Sequence, residues 1–354
     1  FSDTTIRAME RDYESLGIRF DVWLGESFYE DKMPPLVERL KKSGGAVLSE
    51  GAWVVPLEPE TPGGPEVPPL ILVKSGGGFL YGTSDLATVE HRVKEFRARV
   101  SVYVVDKRQS LHFRQVFAAA RKTGICPPDV DLVHAGFGTM NGKDGKPFKT
   151  REGGVLKLGD LIAMVLDEAG KRVREMAAQS PGDRAVAEGD MAEIARMVGM
   201  ATLKYADLKN NRTVDYVFDL EKFSRFEGDT GPYLLYAAVR IKSILRRNAE
   251  DGVRPGPLLP PKEGAAGDPE RGLLLELLKL PEALGRAYHG YEPHHLCDYG
   301  FALSQVFNYF YKECHILRES DPARKASWLS MADLTHNALV LTLSLIGIEV
   351  PERM

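Results

Sequence analysis

Apolar residues follow two different patterns in the two halves of the chain. In the first half, continuous apolar runs at residues 70–73, 102–105 and 132–133 alternate with amphipathic segments at 85–98 and 110–122. Apolar strands separated by helices are typical of a parallel sheet that is covered on both faces. The pattern therefore predicts a doubly wound α/β region, with Ser84 and Ser110 as the expected caps of its two helices.

Turn-forming residues indicate two further elements before this region. Pro34-Pro35 at the start and Gly44-Gly45 at the end predict a short helix between them. The apolar segment 46–57 is interrupted by Glu50-Gly51, which predicts a β-hairpin.

After about residue 155 apolar residues recur at helical spacing, and no further strand is predicted. Helices are expected at 185–205, 233–247, 273–288, 294–313 and 321–346, with a Pro- and Gly-rich linker between 249 and 270. This half is predicted to be a helical bundle.

Composition limits the possible classes of protein. Hydrophobic residues at 44% and charged residues at 27% are ordinary for a globular protein, and with a net charge of −4 any basic surface has to be local. The three cysteines, Cys126, Cys297 and Cys314, are scattered, which is typical of a reducing cytoplasm. No membrane span, signal peptide or zinc motif is recognised.

Lys146 and Lys149 form a Lys-x-x-Lys segment in a glycine-flanked loop that ends with Thr150. Flexible ammonium groups beside a parallel sheet could stabilise the charge that develops on the phosphates of a nucleotide. Because the spacing alone is common, a solvated lysine-rich loop is the simpler explanation without further context.

Tyr81 and Asp85 follow the first predicted strand, where ligands of parallel sheets bind. A carboxylate and a phenol could together bind a guanidinium group, which is planar and carries five donors. Asp85 has a simpler explanation as well, because the dipole favours an acidic residue in the first turn of a helix.

The run HAGFGTMNGKDGKPFKTREGGVLKLGDL, from His134 to Leu161, resembles the corresponding stretch of bacterial arginyl-tRNA synthetases. Its Lys-Pro-Phe-Lys-Thr element is similar to the Lys-Met-Ser-Lys-Ser loop of class I synthetases. The resemblance implies Lys146 and Lys149 as catalytic residues and ATP, with Mg²⁺, as a substrate. The ATP-binding residues that it implies are His134, Gly138, Met140, Lys146, Lys149 and Thr150. For Met140, ordinary packing is an equal alternative.

The same resemblance assigns the arginine site. Tyr81-Gly82-Thr83-Ser84-Asp85 matches the family's Tyr-x-x-x-Asp element, and Gln109, in YVVDKRQSLHF, matches a third residue of the arginine pocket. Glu26, in FDVWLGES, is a fourth candidate. His112, in contrast, is interpreted as a packing or capping residue.

The segment from Lys204 to Arg247 resembles the junction and the first helix of this family's anticodon-binding domain. Basic side chains on that helix could contact phosphates, and aromatic rings of the segment 294–313 could stack on unpaired bases. The tRNA-binding residues that the resemblance implies are Arg240, Arg246, Arg247, Tyr311 and Met354. For any one of the basic residues a solvated helix face is the simpler explanation, and most of the aromatic rings are expected in the core.

These observations predict a partial Rossmann-like domain at 1–155, a connecting helical segment at 156–225 and a helical anticodon-binding domain at 226–354. The expected function is that of an arginine–tRNA ligase, a cytoplasmic monomer that uses L-arginine, ATP and tRNA(Arg) and has no protein-bound metal. The family's His-x-Gly-His motif is missing and the chain begins at Phe1, so we expect a C-terminal portion that is inactive alone. A non-catalytic RNA-binding protein is the main alternative, and an unrelated nucleotide-binding α/β enzyme is a third.

Overall fold

The computed structural model describes residues 2–59, 66–146, 156–179, 188–261 and 268–354. Its strands are β1 (Val47–Ser49), β2 (Ala52–Val55), β3 (Leu70–Val73), β4 (Val100–Asp106), β5 (Asp131–Phe137), β6 (Met140–Asn141) and β7 (Tyr216–Val217). Its helices are α1 (Ser2–Ser15), α2 (Met33–Lys42), α3 (Tyr81–Lys94), α4 (Ser110–Lys122), α5 (Leu158–Gln179), α6 (Met191–Leu208), α7 (Leu220–Phe223), α8 (Gly231–Glu250), α9 (Pro269–Leu277), α10 (Leu280–Gly290), α11 (His294–Glu313) and α12 (Pro322–Leu345). Short 3-10 helices cover Glu26–Lys32, Lys107–Gln109, Glu188–Asp190 and Ile316–Arg318.

The chain folds into two compact units. Residues 20–138 form one of them, called here the sheet unit, and residues 1–19 with 139–354 form the other, the helical unit. The domain boundaries expected from the sequence, after residues 155 and 225, stay predictions.

Two small sheets form the framework of the sheet unit. Strands β4 and β5 are parallel and pair along their whole length, which confirms the strand–helix–strand pattern around α4. Strands β1 and β2 form the predicted hairpin, in which Glu50 and Gly51 both have positive φ, as a two-residue turn requires. A buried core that includes Leu36, Leu72 and Val116 joins α2, α3 and α4 to these strands.

The first apolar run, residues 70–73, departs from the prediction of a single parallel sheet. Strand β3 pairs antiparallel with β2, and no ladder joins it to β4 among the residues described. An apolar run shows only that a strand is buried and does not give its direction, because both faces of either kind of sheet can be covered.

Helices dominate the helical unit. Helix α5 packs along α6, α6 packs on α8, and α8 also packs on α12, which lies against α11. Buried side chains of α8, α11 and α12, such as Ile241, Phe307 and Leu339, share one core. No described helix has the length and hydropathy needed to span a membrane.

Most of the helices expected in this half are confirmed, but two details were wrong. The segment 273–288 is two helices, α9 and α10, which are separated at Leu278-Lys279. The prediction of no further strand missed β7, which pairs parallel with β6 through Tyr216 and Val217. A strand of two residues is too short to show the alternation of apolar and polar residues by which a strand is recognised.

The close approach between α6 and α8 generates a stability prediction. A Cβ atom on Gly231 would lie 2.6 Å from the carbonyl carbon of Ala201 and closer still to the oxygen of that carbonyl. Because backbone atoms cannot move aside as a side chain can, Gly231→Ala should destabilise the helical unit by about 1–3 kcal/mol or more. Chemical denaturation followed by circular dichroism measures this change.

Gly285→Ala is the matched control, because Gly285 lies inside α10 and a Cβ atom added there would have no described atom within 4 Å beyond the adjacent backbone of its own helix. Alanine at this position should stabilise the helix by roughly 0.5–1 kcal/mol through its higher helix propensity. Equal effects of the two substitutions would contradict the close packing at Gly231.

Candidate functional site

The beginning of α3 is fixed against β3. A Cβ atom on Gly82 would lie 2.7 Å from Cδ1 of Leu70, so this position accepts only glycine without rearrangement. The next residue, Thr83, is fully buried, and its hydroxyl donates to the carbonyl of Leu72 at 2.6 Å. These contacts set both the starting point and the rotation of α3.

Tyr81 and Asp85 lie one turn apart on the same helix. The predicted start of this helix was wrong: α3 begins at Tyr81, and Ser84 is not its cap, since the hydroxyl of Ser84 donates to the carbonyl of Tyr81 at 3.0 Å. Asp85 consequently lies beyond the first turn, where the helix dipole no longer explains an acidic residue. Tyr81 is 70% exposed and Asp85 is half-buried.

Gln109 lies at the carboxyl end of β4, immediately before α4. The preceding Asp106 accepts hydrogen bonds from the backbone N–H of Arg108, at 2.8 Å, and from its guanidinium group, at 2.6 and 3.0 Å. The bonds to Arg108 lower the pKa of Asp106 to about 2, so this carboxylate is ionised and already paired at neutral pH. Gln109 itself has an exposed side chain.

His112 connects the start of α4, next to Gln109, with Asp85 on α3, and the sequence interpretation missed this contact. Its Nε2 atom lies 2.5 Å from Oδ2 of Asp85, which brings the first turn of α4 beside the second turn of α3. Asp85 and Gln109 therefore belong to one region of the sheet unit. Two residues separated by 27 positions give no local signal of this contact in the sequence.

Glu26, the fourth candidate for the arginine site, is the first residue of the 3-10 helix Glu26–Lys32 and is exposed. The next turn of this helix contacts α3, because the rings of Phe28 and His91 lie 5.1 Å apart. His91 is near the end of α3, whereas Asp85 is near its beginning. No hydrogen bond joins Glu26 to the other three candidates within the described ranges.

The candidates for ATP binding fall in different environments. In the sheet unit, His134 stacks on Phe113 with ring centroids 4.9 Å apart, its Nε2 lies 3.2 Å from the carbonyl oxygen of Val105, and Gly138 follows the end of β5. In the helical unit, Met140 belongs to β6 and packs against a buried cluster, which agrees with the packing alternative.

Lys146 is the only described residue of the Lys-x-x-Lys-Thr element. Its side chain is exposed, and its backbone closes a turn in which Gly142 donates to the carbonyl of Lys146 at 2.8 Å. Lys149 and Thr150 lie outside the described residues.

The five residues expected to bind tRNA line one groove of the helical unit. They come from α8, α11 and the end of the chain, and they are Arg240, Arg246, Arg247, Tyr311 and Met354. The guanidinium carbon of Arg240 lies 4.7 Å from the centre of the Tyr311 ring, a cation–π contact. The exposed Arg353 adds a fourth arginine, and Glu352 is the one acidic residue among the lining side chains described.

One described cluster of side chains could hold a metal ion. Donor atoms of Glu292, His294 and His295, at the start of α11, lie within 4.8 Å of one another. Nε2 of His295 already lies 3.2 Å from a carboxylate oxygen of Glu292. The pair is thus satisfied as a hydrogen-bonded contact without an ion.

Comparison with known proteins identifies the family. The profile of tRNA synthetases class I (R), catalytic domain, matches residues 2–220, and that of the DALR anticodon binding domain matches residues 234–354. An arginine–tRNA ligase of Maricaulis maris is 46% identical over 354 residues, which cover 100% of this chain and 58% of the relative. One of Alkaliphilus oremlandii is 43% identical over 353 residues, again with 58% of the relative covered. The chain thus spans somewhat more than half the length of these relatives.

Solved structures agree on the fold. The arginyl-tRNA synthetase of Plasmodium falciparum matches with a TM-score of 0.79 at 24% identity, over 100% of this chain and 57% of that one. The Thermus thermophilus arginyl-tRNA synthetase matches with a TM-score of 0.79 at 23% identity, over 98% of this chain and 62% of that one. These likenesses confirm the expected fold class, a Rossmann-like parallel sheet followed by a helical domain. The chain belongs to the arginyl-tRNA synthetase family of class I tRNA synthetases.

Proposed function

We propose that this chain is the arginine-binding and tRNA-binding portion of an arginine–tRNA ligase. The whole protein would activate L-arginine with ATP and transfer it to tRNA(Arg). The observation that carries the proposal is the half-buried carboxylate of Asp85, placed between α3 and α4 in a chain of this family.

The chemistry of arginine explains why a carboxylate is required there. Its guanidinium group is always charged and offers five N–H donors in one plane. Within the described part of the chain, Oδ1 of Asp85 has no hydrogen-bond partner, so it can accept from a ligand. The phenol of Tyr81, one turn earlier on α3, and the amide of Gln109, immediately before α4, would add further acceptors. Glu26 would supply a second negative charge.

The reaction needs no nucleophile from the protein. The carboxylate of arginine attacks the α-phosphate of ATP, which releases pyrophosphate, and a ribose hydroxyl of the tRNA then attacks the adenylate carbonyl. Orientation and electrostatic stabilisation therefore supply most of the catalysis. Lys146 and Lys149 would stabilise negative charge on the phosphates of Mg²⁺-bound ATP, whereas His134, Gly138, Met140 and Thr150 would contact the nucleotide.

The groove of the helical unit is the proposed anticodon site. Four arginines around one acidic residue create a local positive potential, although the chain as a whole carries a charge of −4. Phosphates would pair with Arg240, Arg246 and Arg247. An unpaired base could stack near Tyr311. Met354, half-buried at the end of the chain, also lines this groove.

A non-catalytic RNA-binding protein would require only this groove. The half-buried hydrogen bond between His112 and Asp85 has no role in such a protein, so it favours the ligase. We also keep the monomeric state and the location in the cytoplasm as predictions.

Asp85→Ala should weaken the binding of L-arginine by about 2–5 kcal/mol, because a desolvated guanidinium loses its counter-charge. Titration calorimetry of L-arginine with this chain measures the change directly. Asp129→Ala is the control, since Asp129 is an exposed acid that precedes β5, at the opposite edge of the parallel pair. If both variants bind arginine like the unmodified chain, Asp85 is not part of the site.

Lys149→Ala should slow arginine-dependent ATP–pyrophosphate exchange by the full-length protein, roughly 10²-fold, with little change in the KM for arginine. The ammonium group is needed most as pyrophosphate departs, so its loss acts on the transition state. Lys143→Ala is the control from the same glycine-rich segment, because its ammonium group is paired with Asp219 at 3.1 Å. A change confined to KM would exclude the transition-state role.

Arg240→Ala should weaken tRNA(Arg) binding and make the plot of log K against log salt concentration less steep by about one unit, as expected for the loss of one phosphate contact. Filter binding at several salt concentrations measures both quantities. Arg286→Ala is the control, because Arg286 is an exposed residue of α10 that is paired with Glu282. Weaker binding with an unaltered slope would mean that Arg240 contacts no phosphate and acts only through its cation–π contact with Tyr311.

A further inference from the structure

We propose that His112 is a positioning residue that orients the carboxylate of Asp85 for the guanidinium group of the substrate. This inference rests on the proposed arginine site and adds to it a residue that the family resemblance did not assign. Its basis is the 2.5 Å distance between Nε2 of His112 and Oδ2 of Asp85.

The chemistry of the two groups fixes the direction of the hydrogen bond. An ionised carboxylate only accepts hydrogen bonds, so Nε2 of His112 must carry the proton and donate it. Both side chains are partly buried, with exposed fractions of 29% for His112 and 27% for Asp85. At such a site a hydrogen bond to a charged group contributes more than it does at an exposed one.

The imidazole of His112 is itself held in place by the aromatic core. Its ring meets the edge of the Phe113 ring at a centroid distance of 5.3 Å and an angle of 77°. Phe113 is buried, and it also contacts Tyr103 and His134 of the two parallel strands, at 5.1 and 4.9 Å. The imidazole of His112, which carries the donor, is thus held against the sheet by packed aromatic rings and is not a flexible surface side chain.

The backbone of Asp85 is also held in place, by the packing of α3 on β3. Its helix is seated on β3 by the close fit of Gly82 and by the hydrogen bond of Thr83. With the backbone fixed by β3 and one oxygen bound by His112, the carboxylate loses the freedom to rotate about its side-chain bonds. Oδ1 then has a defined position before the ligand arrives, which lowers the entropic cost of binding.

The role requires a donor and not a positive charge. A neutral imidazole donates to Asp85 and leaves the negative charge of the carboxylate available for the substrate. Glutamine can replace the Nε2–H donor of histidine with its own amide, whereas phenylalanine keeps the ring and loses the donor. These two substitutions therefore separate hydrogen bonding from packing.

The test is the affinity of this chain for L-arginine, measured by titration calorimetry for the unmodified chain, His112→Phe and His112→Gln. His112→Phe should bind arginine at least about tenfold more weakly, from the usual contribution of a hydrogen bond to a charged group. His112→Gln should stay within a few-fold of the unmodified chain. The thermal midpoint of each variant shows whether the sheet unit remains folded.

A double-mutant cycle with Asp85→Asn supplies a readout that a purely structural role would not change. If His112 acts through the carboxylate, His112→Phe should have little further effect on arginine binding in the Asp85→Asn background. Additive losses would overturn the positioning role, as would equal affinities of His112→Phe and the unmodified chain. A failure of the unmodified chain to bind arginine would overturn the proposed arginine site, and the role of His112 with it.

Discussion

The carboxylate of Asp85 is held between two helices, and the arrangement of the sheet unit follows from how those helices are anchored. Helix α3 packs on β3 because Gly82 lies close against the side chain of Leu70 and the hydroxyl of Thr83 donates to the carbonyl of Leu72. Helix α4 is joined to β4 by the short 3-10 helix Lys107–Gln109, which is capped by the side chain of Asp106. His112 and Asp85 meet where the two helices begin, so a change in either anchor would displace the acidic group.

Where α3 and α4 begin, only the carboxylates create a negative potential that would favour a cationic ligand. Each helix presents the partial positive charge of its N-terminus, which by itself would attract anions. The charge of Asp106 is already paired with Arg108, which is why its pKa is low. Asp85, bound on one oxygen by a histidine, retains an unoccupied oxygen among the described contacts. The proposed arginine site would select against amino acids without the matching donors, because its own polar groups would then be left unpaired.

The helical unit achieves a local positive potential in a chain of net negative charge. Arginines of α8 and of the chain end collect in one groove, and Arg240 lies over Tyr311. Two basic residues of α8 lie beside a carboxylate: Lys242 is 2.5 Å from Glu352, and Arg246 is 3.9 Å from Glu250. The distribution of ion pairs, more than the number of basic residues, therefore decides where a polyanion can bind.

Local patterns in the sequence were sufficient for the elements whose signals are local. Helical spacing predicted α4, α11 and α12 nearly to their ends, and Glu50-Gly51 predicted the hairpin, since periodicity and turn propensity depend on neighbouring residues. The direction of β3, the start of α3 and the contact of His112 with Asp85 were decided by tertiary packing. Each depends on groups distant in the sequence: a partner strand, a close fit between Gly82 and Leu70, and a hydrogen bond across 27 positions. The sequence, through its family resemblance, identified candidate residues for arginine recognition, and only the folded chain determined which contacts surround them.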